Sequence, residues 1–287
     1  MPLATISGLA GSQRGTSGVT LAKGPYSTTV LRLITIPISH YCEKARWARE
    51  RAGLRYREEP HVQGIHRLAA RRAGGGKTVP VLVTPAGAIG ESEQILEWVD
   101  QRLDPELRLF TGAPAERREL EALCRRLDER LGPCGRRLMY VEMLAHKDLM
   151  LQFNNAGVPA WEDRAIRWGW PAIVGFASRA LEITPGVEVQ DERVVWHELD
   201  FVAGLLEDGR PYLSGARFGA ADLTFAALAA PVIVPPDYGV ALPQPERLPA
   251  TPAALVTRAR EHPAGAFALR LIAEHRRAPA ASEIEAG

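Results

Sequence analysis

Four consecutive residues, Ser39-His40-Tyr41-Cys42, place a hydroxyl and a thiol at the start of a predicted helix. The first turn of a helix carries unpaired backbone N–H groups and the positive end of the helix dipole, which together stabilise an anion such as a thiolate. Ser39 stands at the N-cap position, where it either caps the helix alone or also takes part in chemistry. Cys42 lies one turn further on and is either a buried, inert side chain or a reactive thiol.

A second segment, Lys77-Thr78-Val79-Pro80, brings a proline to the start of a predicted strand. A cis peptide bond before this proline would turn the Val79 backbone outward, where it could pair with an extended ligand. Because most X–Pro bonds are trans, the segment on its own predicts an ordinary trans proline at the sheet edge.

A third segment, Gly90-Glu91-Ser92-Glu93, opens another predicted helix. Ser92 and the free N–H groups of the first turn could hold a carboxylate, and Glu91 could meet an ammonium group. That combination suits the amino-acid end of a small peptide. Taken alone, the segment is more typical of an acidic helix start with a serine cap.

The elements that position these segments alternate between strand and helix. β-Branched residues over 30–36 predict a strand that Pro37 ends, and small or apolar residues at helical spacing predict a helix from Ser39 to a glycine stop at Gly53. Further patterns predict strands at 56–58, 79–83 and 88–89 and helices at 66–72 and 92–103. The order is β-α-β-α-β-β-α, which predicts an α/β domain at 29–104.

The rest of the chain has a helical pattern. Prolines and a glycine in 105–114 predict a linker, and residues 115–287 predict an all-helical domain in which Gly132-Pro133 and Pro171 break their helices. Residues 1–28 are rich in Gly, Ser and Thr and predict a disordered leader. Two apolar stripes mark the helical core: Leu120, Leu123, Leu127 and Leu131, then Val195, Leu199, Val202 and Leu206.

Composition excludes several classes of protein. The chain has 287 residues with 35 basic and 34 acidic side chains, so it lacks the positive charge that a nucleic-acid binder needs. Its 3 cysteines have no zinc-site spacing and are too few for a disulfide scaffold. No apolar run is long enough to cross a bilayer. We therefore predict a soluble, cytoplasmic protein that requires no metal.

The three segments resemble, in order and spacing, those of the glutathione transferase superfamily. Ser39-His40-Tyr41-Cys42 is similar to the helix start of serine-type members and to the Cys-x-x-Cys turn of thioredoxins, with serine in the first position. Val79-Pro80 resembles the superfamily's cis-proline, and Glu91-Ser92 resembles its pair for the γ-glutamyl group. The segment from Tyr212 to Leu223, YLSGARFGAADL, is similar to a further family motif.

This resemblance implies a thioredoxin-like domain followed by a helical domain, a cis Pro80, and glutathione as co-substrate. Ser39 would stabilise the glutathione thiolate for attack on a hydrophobic electrophile. Glutathione would lie against Val79 and Pro80, with its γ-glutamyl end on Glu91 and Ser92, and Lys77 is a candidate for its glycyl carboxylate. The resemblance also implies a homodimer, a role in detoxification, and no nucleic-acid or membrane partner.

By the same resemblance, the electrophile pocket lies between the Ser39 loop and the first helix of the second domain. Its candidate residues are His40, Tyr41, Met139, Tyr140 and Met143. Residue types alone favour an exposed loop position for His40. Their helical spacing makes a core position for Met139, Tyr140 and Met143 at least as good an interpretation. Trp161, Trp168 and Trp170 either line or merely pack a pocket. Five arginine pairs predict solvated helix faces: Arg71-Arg72, Arg117-Arg118, Arg125-Arg126, Arg136-Arg137 and Arg276-Arg277.

Two departures from the superfamily bear on function. Gly219 stands where members carry serine or threonine, so only Asp222 is left to cap the helix there. The stretch 147–185 is longer than in a compact transferase and could reshape the second-substrate site. Two alternatives stay open: a non-catalytic ligand- or partner-binding protein, and a thiol–disulfide oxidoreductase using Cys42. Dehalogenation and isomerisation are compatible with the same site as conjugation.

Overall fold

The computed structural model describes residues 30–276. The predicted leader lies outside these residues. The first part of the chain forms four strands and three helices: β1 Leu31–Thr35, α1 His40–Arg51, β2 Tyr56–Pro60, α2 His66–Arg72, β3 Val81–Thr84, β4 Gly87–Ile89 and α3 Ser92–Asp100. This is the predicted β-α-β-α-β-β-α order, and the fold is thioredoxin-like.

The four strands form one mixed sheet in the order β2-β1-β3-β4. β1 runs parallel to β2, whereas β1–β3 and β3–β4 are antiparallel. Alternate residues separate the two faces of the sheet. Leu33 and Leu82 pack with α1 and α3 in the main core, while Ile34 and Val81 pack against Ala70 of α2.

Several element ends differ from the sequence prediction, and two of the differences have a clear physical reason. β3 begins at Val81, after Pro80, because proline cannot donate a ladder hydrogen bond. α3 ends at Asp100 and not at residue 103, and the Asp100 carboxylate accepts the N–H groups of Leu109 at 2.5 Å and Phe110 at 3.2 Å. Asp100 thereby fixes the path of the predicted linker, which also contains a short 3-10 helix at Pro105–Leu107.

The rest of the described chain is helical, as predicted. Its helices are α4 Pro114–Glu129, α5 Leu131–Met143, α6 Lys147–Asn154, α7 Ala160–Trp168, α8 Trp170–Ala180, α9 Val187–Leu205, α10 Ala220–Ile233, α11 Ala250–Glu261 and α12 Pro263–His275. The predicted helix breaks are confirmed: α4 ends at Glu129, shortly before Gly132-Pro133, and α7 ends at Trp168, shortly before Pro171. Pro133 is in the first turn of α5 and Pro171 in that of α8, where the missing N–H has no intrahelical partner.

Helix α10 lies at the centre of the molecule, and almost all of its residues are buried. Its start is held by Asp222, whose carboxylate accepts the N–H groups of Gly219 at 3.0 Å and Leu213 at 2.7 Å. α10 packs against α1, α4, α5 and α12. One apolar core therefore runs through both halves of the chain and includes most residues of the two predicted stripes.

Buried ion pairs fix α1 against the helical domain. Lys44 donates to Asp128 at 2.7 Å, and its side chain is fully buried. Glu43 accepts from Arg276 at 2.5 Å, and Arg276 also pairs with Glu50. Because an unpaired buried charge costs several kcal/mol, these contacts specify how α1 sits on the helices.

The long stretch 147–185 forms α6, α7 and α8 and docks on the sheet domain. Glu162 of α7 is fully buried and accepts from His61 Nδ1 at 2.7 Å and from the Val62 N–H at 3.0 Å. The stretch therefore contacts the loop that follows β2. No helix among residues 30–276 is both long and apolar enough to cross a membrane.

Candidate active site

Ser39 occupies the N-cap of α1 with an extended backbone. Its Oγ accepts the Cys42 N–H at 3.4 Å, which leaves the hydroxyl hydrogen for another acceptor. The preceding loop is fixed because Arg46 donates to the Pro37 carbonyl at 2.8 Å and pairs with Glu58 at 2.7 Å. Ser39 therefore offers an O–H donor from a rigid loop at the positive end of a helix.

Cys42 is fully buried in the core below this loop. Burial raises the pKa of its thiol to about 11, against a smaller opposing effect of Arg46. The thiol form therefore dominates at neutral pH, which disfavours Cys42 as a nucleophile.

His40 is not in an exposed loop, as its sequence position suggested. It is the first residue of α1 and only 2% exposed. Burial, helped by the charge of Arg136, holds the pKa of His40 well below its usual range, so the imidazole is neutral. The neighbouring Tyr41 donates to the Asp128 carbonyl at 2.7 Å, which ties the helix start to α4.

The Val79–Pro80 peptide bond is cis, as the resemblance implied. Within residues 30–276, the Val79 backbone N–H and C=O have no hydrogen-bond partner. Lys77 is exposed nearby. The segment thus presents free backbone groups next to a cation, which suits an extended, anionic ligand.

Glu91 is the N-cap residue of α3 and is exposed, and Ser92 is the first residue of the helix and mostly buried. Neither side chain caps the helix. The first-turn N–H groups of α3 and the Ser92 hydroxyl are therefore placed together, which is the arrangement expected for a bound carboxylate.

One cavity of about 320 Å³ lies between the Ser39 loop and the helical domain. Its lining includes Ser39, Lys77 and Val79 on the sheet-domain side, whereas Glu91 and Ser92 lie outside it. The predicted pocket residues all line it: His40, Tyr41, Met139, Tyr140 and Met143. Met139, Tyr140 and Met143 belong to α5, the second helix of the helical domain and not the first.

Sequence reasoning missed much of the opposite wall. Helices α6 and α8 contribute Met150, Phe153, Asn154 and Phe176, and the loop after α10 contributes Tyr238. The length of the 147–185 stretch was the available signal. The tryptophans do not form this wall: Trp161 and Trp168 are 57% and 93% exposed, and Trp170 packs between helices.

Three predictions about the arginine pairs were wrong. Arg276 is only 5% exposed and pairs with Glu43 and Glu50. Arg126 and Arg137 do not lie on purely solvated faces, because Arg126 pairs with Glu198 and Arg137 with Asp191, both at fully or almost fully buried carboxylates. Arg136 lines the cavity. Among residues 30–276, no cluster of His, Cys, Asp or Glu is arranged to hold a metal ion.

Comparison with known families identifies the sheet domain. Residues 33–106 match the family described as glutathione S-transferase, N-terminal domain. This segment belongs to that family, and together with the helical domain it gives the chain the fold of the glutathione S-transferase superfamily. A comparison with curated proteins finds no match.

Solved structures share the whole two-domain fold at low sequence identity. A glutathione S-transferase from Sinorhizobium meliloti 1021 is 16% identical with a TM-score of 0.53, covering 84% of this chain and 93% of its own. The β-etherase LigF from Sphingobium sp. strain SYK-6 is 15% identical with a TM-score of 0.52, covering 84% and 99%. Glutathione S-transferase-I bound with lactoylglutathione is 15% identical with a TM-score of 0.52, covering 85% and 100%.

Proposed function

We propose that this protein is a glutathione-dependent transferase in which Ser39 stabilises the glutathione thiolate for attack on a hydrophobic electrophile. The observation that carries the proposal is the shared cavity, which has the Ser39 hydroxyl and the free Val79 backbone on one side and an apolar helical wall on the other. A thiol peptide and an apolar second substrate would meet at the start of α1.

Glutathione is expected to lie extended along the edge of the sheet domain. Its backbone would pair with the N–H and C=O of Val79 beside Pro80, in the manner of an added strand. Its γ-glutamyl carboxylate would meet Ser92 and the start of α3, with Glu91 near the ammonium group and Lys77 near the glycyl carboxylate. The family match of the sheet domain supports this assignment.

In the proposed reaction, the glutathione sulfur accepts the Ser39 O–H hydrogen bond at the positive end of α1. A hydrogen bond to a charged group contributes about 1.5–3 kcal/mol, which corresponds to a pKa lowered by about 1–2 units. The thiolate then attacks the electrophile, forms the carbon–sulfur bond and displaces a leaving group or adds to an activated double bond. The fold is also that of a β-etherase, so ether cleavage is a further reaction type for the same site.

The proposal extends to a cytoplasmic, homodimeric protein with a detoxification role. The support for this extension is the superfamily resemblance alone. The rival interpretation is a non-catalytic protein that binds ligands or partners through the same cavity. A Cys42 oxidoreductase is disfavoured by the burial of that thiol.

Calorimetry with glutathione tests the proposal. The wild-type protein should bind glutathione, and Ser92→Ala should weaken binding about tenfold by removing a hydrogen bond to a carboxylate. Thr257→Val, which removes an exposed hydroxyl on α11, is the matched control and should bind as the wild type does. No binding to folded protein at millimolar glutathione would contradict the proposal. Binding without turnover on a broad electrophile panel would favour the non-catalytic alternative.

A further inference from the structure

The cavity has mostly apolar walls, and the charged side chains that line it are all positive. Three of its lining residues are cations, Arg67, Lys77 and Arg136, and no aspartate or glutamate is among its lining residues within the described part of the chain. A low-dielectric cavity with only positive side chains favours a negatively charged occupant.

Among these three cations, Arg136 is the one that belongs to the helical domain. It lies on α5 and makes no hydrogen bond or ion pair with residues 30–276, and its Nε is buried without a partner. The adjacent Arg137 differs, because it binds Asp191 through two nitrogens at 2.6 and 2.7 Å. Nothing in the described chain therefore neutralises the guanidinium that faces the cavity.

Tyr140 adds a second donor one turn further along α5, on the same helix face as Arg136. Its hydroxyl oxygen accepts a hydrogen bond from Gln63 Nε2 at 3.1 Å. Because that contact uses a lone pair, the phenolic hydrogen is left to donate elsewhere. Tyr140 lines the same cavity as Arg136.

Asn154 of α6 completes the polar group beside Tyr140. Its side chain lines the cavity and is only 1% exposed, and its amide approaches the Tyr140 hydroxyl, yet neither Oδ1 nor Nδ2 makes a hydrogen bond of good geometry within residues 30–276. A buried polar group without a partner costs about 1–3 kcal/mol. A ligand that accepts a hydrogen bond from this amide would offset that cost.

We infer that the second substrate is an organic anion with an apolar body, whose carboxylate or sulfonate binds Arg136, Tyr140 and Asn154. That this anion is the electrophile rests on the proposed function. That the anion binds rests on the cavity alone. The apolar body would pack against side chains such as Met143, Met150 and Phe153. Lys77 lies on the sheet-domain side of the cavity, where the proposed function assigns it to the glycyl carboxylate of glutathione.

Two fluorescent dyes of nearly equal shape test the inference without requiring turnover. Anilinonaphthalene sulfonate is anionic, and phenylnaphthylamine has the same rings without the charge. Fluorescence titration should show that Arg136→Met weakens sulfonate binding about tenfold or more, since a charge-assisted hydrogen bond is lost, while the neutral dye changes less than about twofold. Arg136→Lys should recover part of the loss, and Asn154→Leu should also weaken the sulfonate more than the neutral dye.

Arg118→Met is the matched control, because Arg118 is an exposed arginine on α4 away from the cavity. It should leave both dyes unaffected. Equal losses for the two dyes in Arg136→Met, or an unchanged sulfonate affinity, would overturn the inference.

Glutathione calorimetry on the same proteins separates the two claims. A loss of glutathione binding in Arg136→Met would assign the guanidinium to glutathione and overturn the inference. Charge-selective dye binding by a protein that fails to bind glutathione would refute the proposed function and leave anion binding standing.

Discussion

The Ser39 hydroxyl and the Cys42 thiol lie three residues apart at the start of α1, and they differ in burial. Ser39 lines the cavity and keeps a donor hydrogen, whereas Cys42 is fully buried with a pKa of about 11. Each residue had two readings in the sequence, and their spacing could not choose between them. The choice depends on which side of the helix start faces the core.

Cysteine labelling of the native protein tests this separation. Cys42 and Cys124 are buried and Cys134 is partly exposed. Brief treatment with iodoacetamide, followed by peptide mass spectrometry, should modify Cys134 first and leave the two buried cysteines unmodified until the protein is unfolded. Because burial also raises the pKa of Cys134 to about 11, its modification should be slow. Rapid modification of Cys42 in folded protein would revive the oxidoreductase alternative.

The sequence predicted the positions of the motif residues, but it did not predict which residues of the helical domain form the cavity wall. His40 was expected in an exposed loop, but α1 begins at that residue and turns its side chain into the domain interface. Arg136 and Asn154 carry no sequence signal for a site. They stand out because their polar atoms lack good hydrogen-bond or ion-pair partners, and only the three-dimensional structure shows that.

At the scale of elements, the start of α10 explains the departure at Gly219. A Cβ on this residue would lie 2.4 Å from the Ser214 Oγ and 2.9 Å from the Leu109 carbonyl oxygen. There is no room for the serine or threonine that the superfamily motif carries. Asp222 compensates by accepting N–H groups from Gly219, Leu213 and Ser214.

Gly219→Ser should therefore lower the free energy of unfolding by about 1–3 kcal/mol, which is typical of overpacking in a filled core. Chemical denaturation monitored by circular dichroism measures the change. Gly204→Ser is the control, since a Cβ at that exposed helical glycine meets no atom within 4 Å. Its stability should match or exceed that of the wild type. Equal stability of Gly219→Ser and wild type would show that the crowding around Gly219 relaxes without cost.

The elements of the sheet domain were predictable because strand and helix periods alternate cleanly there. The end of α3 differs from the prediction because its last residue, Asp100, accepts backbone N–H groups from the segment that follows the helix. The stretch 147–185 was recognised by its length. Its docking through Glu162 on the His61 loop was not, because a buried carboxylate of this kind is identified by a partner far away in sequence.

At the scale of the whole molecule, both domains share one apolar core and bury titratable groups at their contacts. His66 at the start of α2 accepts the Gly64 N–H at 3.1 Å, and burial lowers its pKa to about 4. An unfolded histidine titrates near 6.5. The unfolded state thus binds a proton first as the pH falls, and the free energy of unfolding decreases from about pH 6.5 down to about pH 4.

His66→Gln isolates this contribution. From pH 7 to pH 4, the free energy of unfolding of the wild type should fall by about 2 kcal/mol more than that of His66→Gln. This figure is reduced for the partial solvent exposure of His66. Denaturant titrations at the two pH values provide the measurement. His197→Gln controls for the loss of an exposed imidazole, since that side chain is 62% exposed. A constant difference for His66→Gln would contradict the burial argument.

The order of the two domains and the helical character of the second were predictable from the sequence. How α1 sits on the helical domain was not predictable, because it depends on buried pairs between distant residues, such as Lys44 with Asp128 of α4. The same domain contact creates the cavity. The fold could therefore be predicted from patterns and resemblance, whereas the character of the second-substrate site required the assembled structure.

The most direct test of the central claim is the thiolate pKa of glutathione bound to the protein. Ultraviolet difference absorbance against pH should give a value about 1–2 units below that of free glutathione for the wild type. Ser39→Ala should return it toward the free value, and Cys42→Ala, the matched control on the same turn of α1, should leave it lowered. An equally lowered pKa in Ser39→Ala, or its loss in Cys42→Ala, would contradict the assignment of Ser39 as the thiolate-stabilising residue.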